Sequence, residues 1–312
     1  MSFDISVQVP VRNGGEKFRR FLGSLAAQDL QRPWELVIVD DGSDQPVSQE
    51  FQKELGMLLD LCSVKVVAMV SGGKRPAARN MALELSEAPV ALLMDADLEF
   101  GPSLLRKHLE VREDAGADVV MGRRVNGWSS NATPWQKWFD TRAMGDSPPG
   151  KFPWNYFITG NLSVTSSLLE KAGGFDTAID RYGGEDTEMG YRLEQMGVLF
   201  HWAPSLTVNH LDDVTVTEHS GKMLEYGSTG LKYTLEKHPG IQGLLGSQWV
   251  APVFSKPVYL FLMRILARIA LAAPVYRAVL VFMQKHGRPQ VLFTYLSVGA
   301  CLIGLRGGDY RK

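Results

Sequence analysis

Along residues 1–123, short apolar runs rich in β-branched residues alternate with stretches whose apolar positions recur at helical spacing. Runs 5–11, 36–39, 64–70, 90–94 and 119–121 read as buried strands, and stretches 16–28, 47–61, 76–86 and 102–115 read as helices. Alternation of this kind predicts an α/β fold, a mostly parallel sheet flanked by helices. Ligands in such sheets sit beyond the carboxyl ends of the strands. The polar residues to weigh are therefore those that follow each strand: Arg12 and Asn13, Asp40 and Asp41, Ser71 to Arg75, and Asp95 to Asp97.

The pattern breaks at residues 126–157, which are rich in Trp, Pro, Gly and Asn and show no clear period. They read as a long loop or lid that orders around a ligand. It resumes with a strand at 160–165, a short helix, a Gly-rich turn, a helix at 185–196 and a strand pair at 198–202 and 206–208. Residues 258–283 are apolar but interrupted by Arg264, Arg268, Arg277 and Pro274, with Arg264 and Arg268 on one helix face at i, i+4. Residues 291–305 carry no charge. As a helix they cover about 23 Å, short of a hydrocarbon core of about 30 Å. Helices lying in a membrane interface are the expectation for this tail. The alternative is a helical pair that packs on the rest of the chain or forms a homodimer. The organisation expected is a nucleotide-binding half at 1–125, an acceptor-binding half of the same domain at 126–250, and an amphipathic helical tail at 251–312.

Composition refines this picture in two places. Hydrophobic residues make up 45% of the 312 and charged residues 21%, ordinary for a chain with a buried core. The formal net charge of −1 gives no reason to expect a nucleic-acid partner, yet it hides an asymmetry. Residues 251–312 hold nine Lys or Arg and one acid, Asp309, whereas the preceding 250 hold 24 basic and 33 acidic residues. The two cysteines, Cys62 and Cys301, lack metal-type spacing and read as buried free thiols. The N-terminus lacks the pattern of a signal peptide, so the expected location is the cytoplasm, peripheral on the inner face of the membrane if the tail binds lipid.

Four segments carry candidate chemistry. Val39-Asp40-Asp41-Gly42-Ser43 places carboxylates where a nucleobase or ribose would meet the sheet, although Asp-Gly after a strand is also ordinary turn chemistry. Met94-Asp95-Ala96-Asp97 puts two acids two residues apart at a strand end. That suits a hard divalent cation that also binds phosphate, with Asp97 facing the metal and Asp95 the ribose. A solvated strand end is the plainer account, but adjacent acids repel unless something compensates them. Gly183-Gly184-Glu185-Asp186-Thr187-Glu188 leads glycines into an acidic helix start. It can supply a general base to an acceptor hydroxyl or simply complement the helix N-terminus. Asn209-His210-Leu211-Asp212 ends the last strand, where His210 is either structural or a metal ligand beside Asp97.

In this order the segments resemble a family-2-type glycosyltransferase with the GT-A (Rossmann-like) nucleotide-sugar-binding fold. The matching stretches are VPVRN, VDDGS, GGKRPAARN, MDAD, and GGFD followed by GGEDTEMGYRL, and they span about residues 5–212. The later ones are similar to galactosyl- and N-acetylgalactosaminyl-transferases. The resemblance implies that Pro10, Arg12 and Asp41 line a base pocket, that Arg79 approaches the nucleotide, and that Asp95 and Ala96 meet the ribose. By the same likeness Asp97 and His210 hold Mn²⁺ or Mg²⁺, and Gly160 and Asn161 lie where donor sugar and acceptor meet. Glu185 would grip sugar hydroxyls and Asp186 would be the base of an inverting, single displacement. The implied partners are a nucleotide-sugar, UDP-linked by family likeness, and a saccharide or lipid-linked acceptor.

The Gln-X-X-Arg-Trp motif of processive synthases is missing, which favours single addition. A sugar-1-phosphate nucleotidyltransferase would need a Gly-rich, basic loop after the first strand, and a dinucleotide oxidoreductase a Gly-X-Gly-X-X-Gly turn. Neither is present. A non-catalytic nucleotide-sugar or membrane-binding module remains as a different class, against which stands the retention of both acid pairs.

Overall fold

Strands that are apolar on both sides need a layer on each face, and β1 (Ile5–Val11) and β2 (Trp34–Asp40) have one: every residue but Pro10 is buried. The computed structural model describes residues 2–69, 74–126, 132–255 and 257–311. The end of the run 64–70, Ser71 to Gly73, and residues 127–131 of the expected lid lie outside the described residues.

The remaining strands are β3 (Ser63–Ala68), β4 (Val90–Met94), β5 (Leu98–Glu99), β6 (Val119–Asn126), β7 (Gly150–Lys151), β8 (Asn161–Thr165) and β9 (Phe200–His210). They form one sheet in the order β3-β2-β1-β4-β8-β6-β9-β5, with β7 also paired to β9. From β3 to β4 all pairs are parallel. Beyond β4 the sheet is mixed, because β8 runs against both β4 and β6 while β9 runs with β6 and against β5 and β7.

The expected strand pair at 198–208 is instead the single strand β9. Its ladder with β6 shifts register between Gly122 and Arg124, whose partners are Ala203 and Val208. Pro204 falls in that irregularity, so its missing N–H costs no ladder bond.

Helices α1 (Gly15–Ala26), α2 (Val47–Glu50), α3 (Gln52–Leu59), α4 (Arg75–Leu85) and α5 (Leu104–Ala115) connect the parallel strands. In α1, Phe18, Phe21, Leu22 and Leu25 share the inward face at i, i+3, i+4 and i+7. The stretch 47–61 is broken at Phe51, which leaves helical geometry (φ −114°, ψ 25°) as its ring meets Phe18 edge-on at 5.0 Å. Helix α5 stops at Gly116, in the left-handed region at φ 55°.

Residues 126–157 are more ordered than a lid without secondary structure. They contain α6 (Pro134–Asp140), β7 and a 3₁₀ turn, Trp154–Tyr156. Helices α7 (Ser166–Lys171) and α8 (Glu185–Gln195) follow β8 and the glycine-rich turn.

The chain divides into two compact units. The first, Met1–Gly127, Asp140–Asp180 and Glu185–Asp212, carries the sheet. The second comprises Trp128–Phe139, Arg181–Gly184 and Asp213–Lys312. It holds α9 (Val216–Tyr226), α10 (Lys232–Lys237), α11 (Phe261–Ala270), α12 (Ala273–His286) and α13 (Val291–Leu305).

Of the tail helices, α13 differs from the interfacial segment expected of it. Helix α13 is core: Phe293, Leu296, Ala300, Cys301, Leu302 and Ile303 are buried. Glycine permits its close approach to α9, since a Cβ on Gly304 would lie 2.2 Å from the Leu224 carbonyl oxygen. Trp135 of α6 packs in the same core, against His219 and Phe293, with its indole N–H donated to the Val214 carbonyl at 2.6 Å. Arg264 and Arg268 do not share an exposed face: Arg264 is 1% exposed and Arg268 lies in solvent.

Candidate active site

The acids after β4 are brought to the end of β9 by the two-residue strand β5. Leu98 pairs with His210 and Glu99 with Asn209, and the Leu211 N–H donates to the Asp97 carbonyl at 2.8 Å. Asp97 thereby meets His210, with Oδ2 3.2 Å from Nε2. Asp212 joins them, and one potential ligand atom from each of the three lies within 4.8 Å of the others. Asp97 Oδ1 is buried and has no hydrogen-bond partner among the described residues. A carboxylate oxygen removed from water without a partner is costly, and a cation satisfies it. Two carboxylates and an imidazole are a donor set for a divalent cation, so these residues fit one.

The imidazole is oriented from behind. His210 Nδ1 lies 2.9 Å from Asn126 Oδ1, while Asn126 Nδ2 donates to Asp140 Oδ1 at 2.7 Å. Because the amide oxygen only accepts, Nδ1 is the donor to it, which turns Nε2 toward Asp97. Lys17 forms an ion pair with Asp212, whose hydrogen bond raises the lysine pKa.

Asp95 faces two guanidiniums. Arg79 Nη2 donates to Oδ1 at 3.0 Å and Arg124 Nη1 to Oδ2 at 2.9 Å. Burial pushes the Asp95 carboxyl up, but Arg79 and Arg124 together hold it below the ordinary carboxylate range. Arg79 is 1% exposed, and its Nε and Nη1 have no partner among the described residues. Buried donors of that kind call for an anion. Ala96 sits half-buried between the two acids.

The expected base pocket lies at the ends of β1 and β2. Pro10 is half-buried, Arg12 exposed and Asp41 buried. The two acids of Val39-Asp40-Asp41 diverge. Asp40 spends both oxygens on backbone N–H groups, of Ser43 at 2.9 Å and Val47 at 3.0 Å, and so shapes the turn. The Asp41 carboxylate accepts a long bond, 3.4 Å, from the Lys74 N–H.

Asp186, at the start of α8, is held by Thr159, which donates from its backbone N–H at 3.1 Å and its hydroxyl at 2.9 Å. Burial, then the neighbouring Glu185 charge, pushes the Asp186 carboxyl up to about 7, against the opposing effects of Arg79 and the Thr159 hydroxyl. Glu185 is buried: Oε1 accepts from Arg75 Nη1 at 3.3 Å, and Oε2 has no partner among the described residues. Gly160 joins the two halves of the site. At φ 125° it has no side chain, and a Cβ there would come within 2.6 Å of Asp95 Oδ2.

One expected residue is misplaced. Asn161 is buried at 3% exposure, with its amide N–H groups on the Leu206 and Arg123 carbonyls and its oxygen 3.0 Å from His108 Nε2. Its polar atoms are consumed inside the sheet, so it ties β8 to its neighbours and offers nothing to a sugar. Conversely, Asp212, Arg124, Thr159, Asn126 and Asp140 were not singled out as site residues by the sequence pattern. Only Asp212 had a readable signal, its spacing of two from His210.

Residues 6–175 match the profile of Glycosyl transferase family 2, and residues 142–220 that described as the N-terminal domain of galactosyltransferase. A validoxylamine A glucosyltransferase from Streptomyces hygroscopicus subsp. jinggangensis (strain 5008) is 28% identical over 223 residues, covering 62% of this chain. The chain spans about half of that relative, 52%. The fold is shared with a mannosyltransferase from Pyrobaculum calidifontis solved with GDP-Man and Mn²⁺ (TM-score 0.64, 18% identity, 98% of this chain and 86% of that one). It is also shared with S. aureus TarS solved with UDP-GlcNAc (TM-score 0.57, 16% identity, 99% and 93%).

Proposed function

Because this chain belongs to glycosyl transferase family 2, we propose that it moves a sugar from a nucleoside-diphosphate donor, a UDP-sugar in the first instance, onto an acceptor hydroxyl with inversion. The observation that carries this reading is the junction at Thr159-Gly160. Thr159 holds the carboxylate of Asp186, and the bare Cα of Gly160 abuts Asp95, two residues from Asp97. A base and a diphosphate-facing centre thus stand side by side at the rim of the sheet.

In this reading Pro10, Arg12 and Asp41 receive the nucleobase. Asp95 turns toward the ribose, its position set by Arg79 and Arg124. The unpaired N–H groups of Arg79 and the charge of Arg124 favour the diphosphate. Asp97, His210 and Asp212 hold a divalent cation, Mn²⁺ or Mg²⁺, which when bound supplies positive charge to the departing diphosphate. The free oxygen of Glu185 accepts from a sugar hydroxyl. Asp186 takes the proton of the acceptor hydroxyl, and a carboxylate with a pKa near 7 is basic enough to do so at neutral pH. With one base and a donor fixed in line, a single displacement inverts the anomeric centre. The acceptor class this reading favours is a saccharide or a lipid-linked one.

Calorimetric titration with UDP, GDP and dTDP, each with Mn²⁺ and again with chelator, tests the donor site. Metal-dependent binding of one nucleotide supports it and names the donor class. If no nucleotide binds under either condition, the reading fails. Proton NMR of the product then reads the anomeric configuration, and retention would remove the single-displacement mechanism.

A further inference from the structure

Helix α11 is turned inside out. Its buried residue is Arg264, whose guanidinium is bonded to the carbonyls of Gln248 (3.1 Å), Val253 and Pro257 (3.4 Å each) and Ser255. Its outer surface is apolar: Phe261, Leu262, Met263, Leu266 and Ile269 are exposed, Leu262 by 62% and Ile269 by 61%. A helix that faces water does the reverse, with leucines inward and charges out. Polar groups turned to the interior with apolar side chains outside is the arrangement that a lipid environment selects.

The apolar surface extends beyond one helix. Before α11, Phe254 and Tyr259 are 87% and 81% exposed, and on α12 Val281 and Phe282 face outward. Helices α11 and α12 are bent by 56° at their junction, and no helix among the described residues is long and apolar enough to cross a membrane alone. Exposed Arg268, Arg277, Lys285 and Arg288 accompany the apolar side chains, and no acid occurs from residue 251 to residue 308. A second copy of this chain would set cation against cation across such a face. Anionic headgroups complement it.

We propose that α11 and α12 dock on a membrane surface that carries anionic lipid, with their outer side chains at the boundary between headgroups and acyl chains. This rests on the exposed face alone and stands or falls separately from the glycosyl-transfer reading.

Flotation of the full chain with vesicles of phosphatidylcholine, with and without phosphatidylglycerol, tests it. The wild type is expected to float with the phosphatidylglycerol vesicles. The variant Leu262→Glu/Leu266→Glu/Ile269→Glu is expected to stay in solution while keeping the wild-type circular dichroism. A second variant, Arg268→Gln/Arg277→Gln, leaves the apolar surface intact and is expected to lower partitioning onto phosphatidylglycerol vesicles about 30-fold, with little change on neutral ones. Flotation of the triple variant like the wild type would overturn the docking face, and equal binding of the wild type to both vesicles would overturn its charge preference. A wild type that binds neither vesicle would overturn the proposal itself, and if light scattering then finds a dimer that the triple variant dissociates, the occupant is a second copy.

Discussion

Thr159 gives two hydrogen bonds to one carboxylate, that of Asp186, from its backbone N–H and its hydroxyl. Both favour the ionised acid, yet burial and the adjacent Glu185 outweigh them and the carboxyl is pushed up to about 7. For a general base this balance matters more than either contribution, since the group must be ionised and still basic. Asp186→Asn should therefore lower kcat by about 10²- to 10⁴-fold with donor affinity nearly unchanged. Loss of donor binding as well, read by calorimetry, would count against the base assignment. Thr159→Val removes one stabilising donor, so the acid limb of the pH–kcat/KM profile should move upward, by up to about one unit. A profile that stays in place would mean another group titrates.

The same residue carries a cost in stability. Asp186 has a folded pKa of about 7 against an ordinary 3.8, so between those values the folded chain keeps a proton that the unfolded chain has lost. Stability accordingly falls as pH rises through that window, and the loss is complete above it. Asp186→Asn should raise Tm at pH 8, by roughly 2–4 °C for each kcal/mol recovered. At pH 4 the gain should vanish. A gain of equal size at both pH values would show that the asparagine acts through packing rather than charge.

The imidazole of His210 is aimed by Asn126, which is itself fixed by Asp140. Loss of a partner of this kind costs about 10- to 100-fold in metal affinity. Asn126→Ala should weaken Mn²⁺ binding by that factor, measured by calorimetry without nucleotide, and should leave the nucleotide affinity in chelator unchanged. Asp212→Asn should weaken Mn²⁺ similarly by removing a ligand. Unaltered Mn²⁺ binding in both variants would place the ion elsewhere.

Much of this architecture can be read along the chain, and the parts that cannot share a cause. The parallel half of the sheet was legible because strands such as Ile5–Val11 are apolar at almost every position. The acids Asp95, Asp97 and Asp186 were legible because they end or begin elements next to glycine or another acid. Asn161 misled because it follows Gly160 at the site rim, and a one-residue step along a strand turns a side chain to the other face. Asn126 and Asp140 were invisible because their contact joins residues fourteen apart, which no helix or strand period records. Helix α13 had the composition of an interfacial segment, but glycines on both packing surfaces let it serve as core. Arg264 and Arg268 looked alike in sequence, and only the carbonyls around Arg264 separate them.

Arg124 offers the clearest way to separate protein charge from metal charge. Its guanidinium reaches Asp95 Oδ2 at 2.9 Å, opposite Arg79 on Oδ1, and its side chain is 30% exposed rather than buried. In the proposed reading Asp97 would act on the diphosphate only through a cation that it helps to hold, whereas the charge of Arg124 is present with or without one. Arg124→Met should thus weaken UDP binding about tenfold or more in both Mn²⁺ and chelator, the cost of one lost charge-assisted hydrogen bond. Asp97→Ala should weaken it in Mn²⁺ alone. Arg124→Lys keeps the charge but loses the planar fork, so its loss should fall between wild type and Met. If Arg124→Met behaves like Asp97→Ala, with no loss in chelator, then Arg124 acts only through the metal-facing acids and not on the nucleotide.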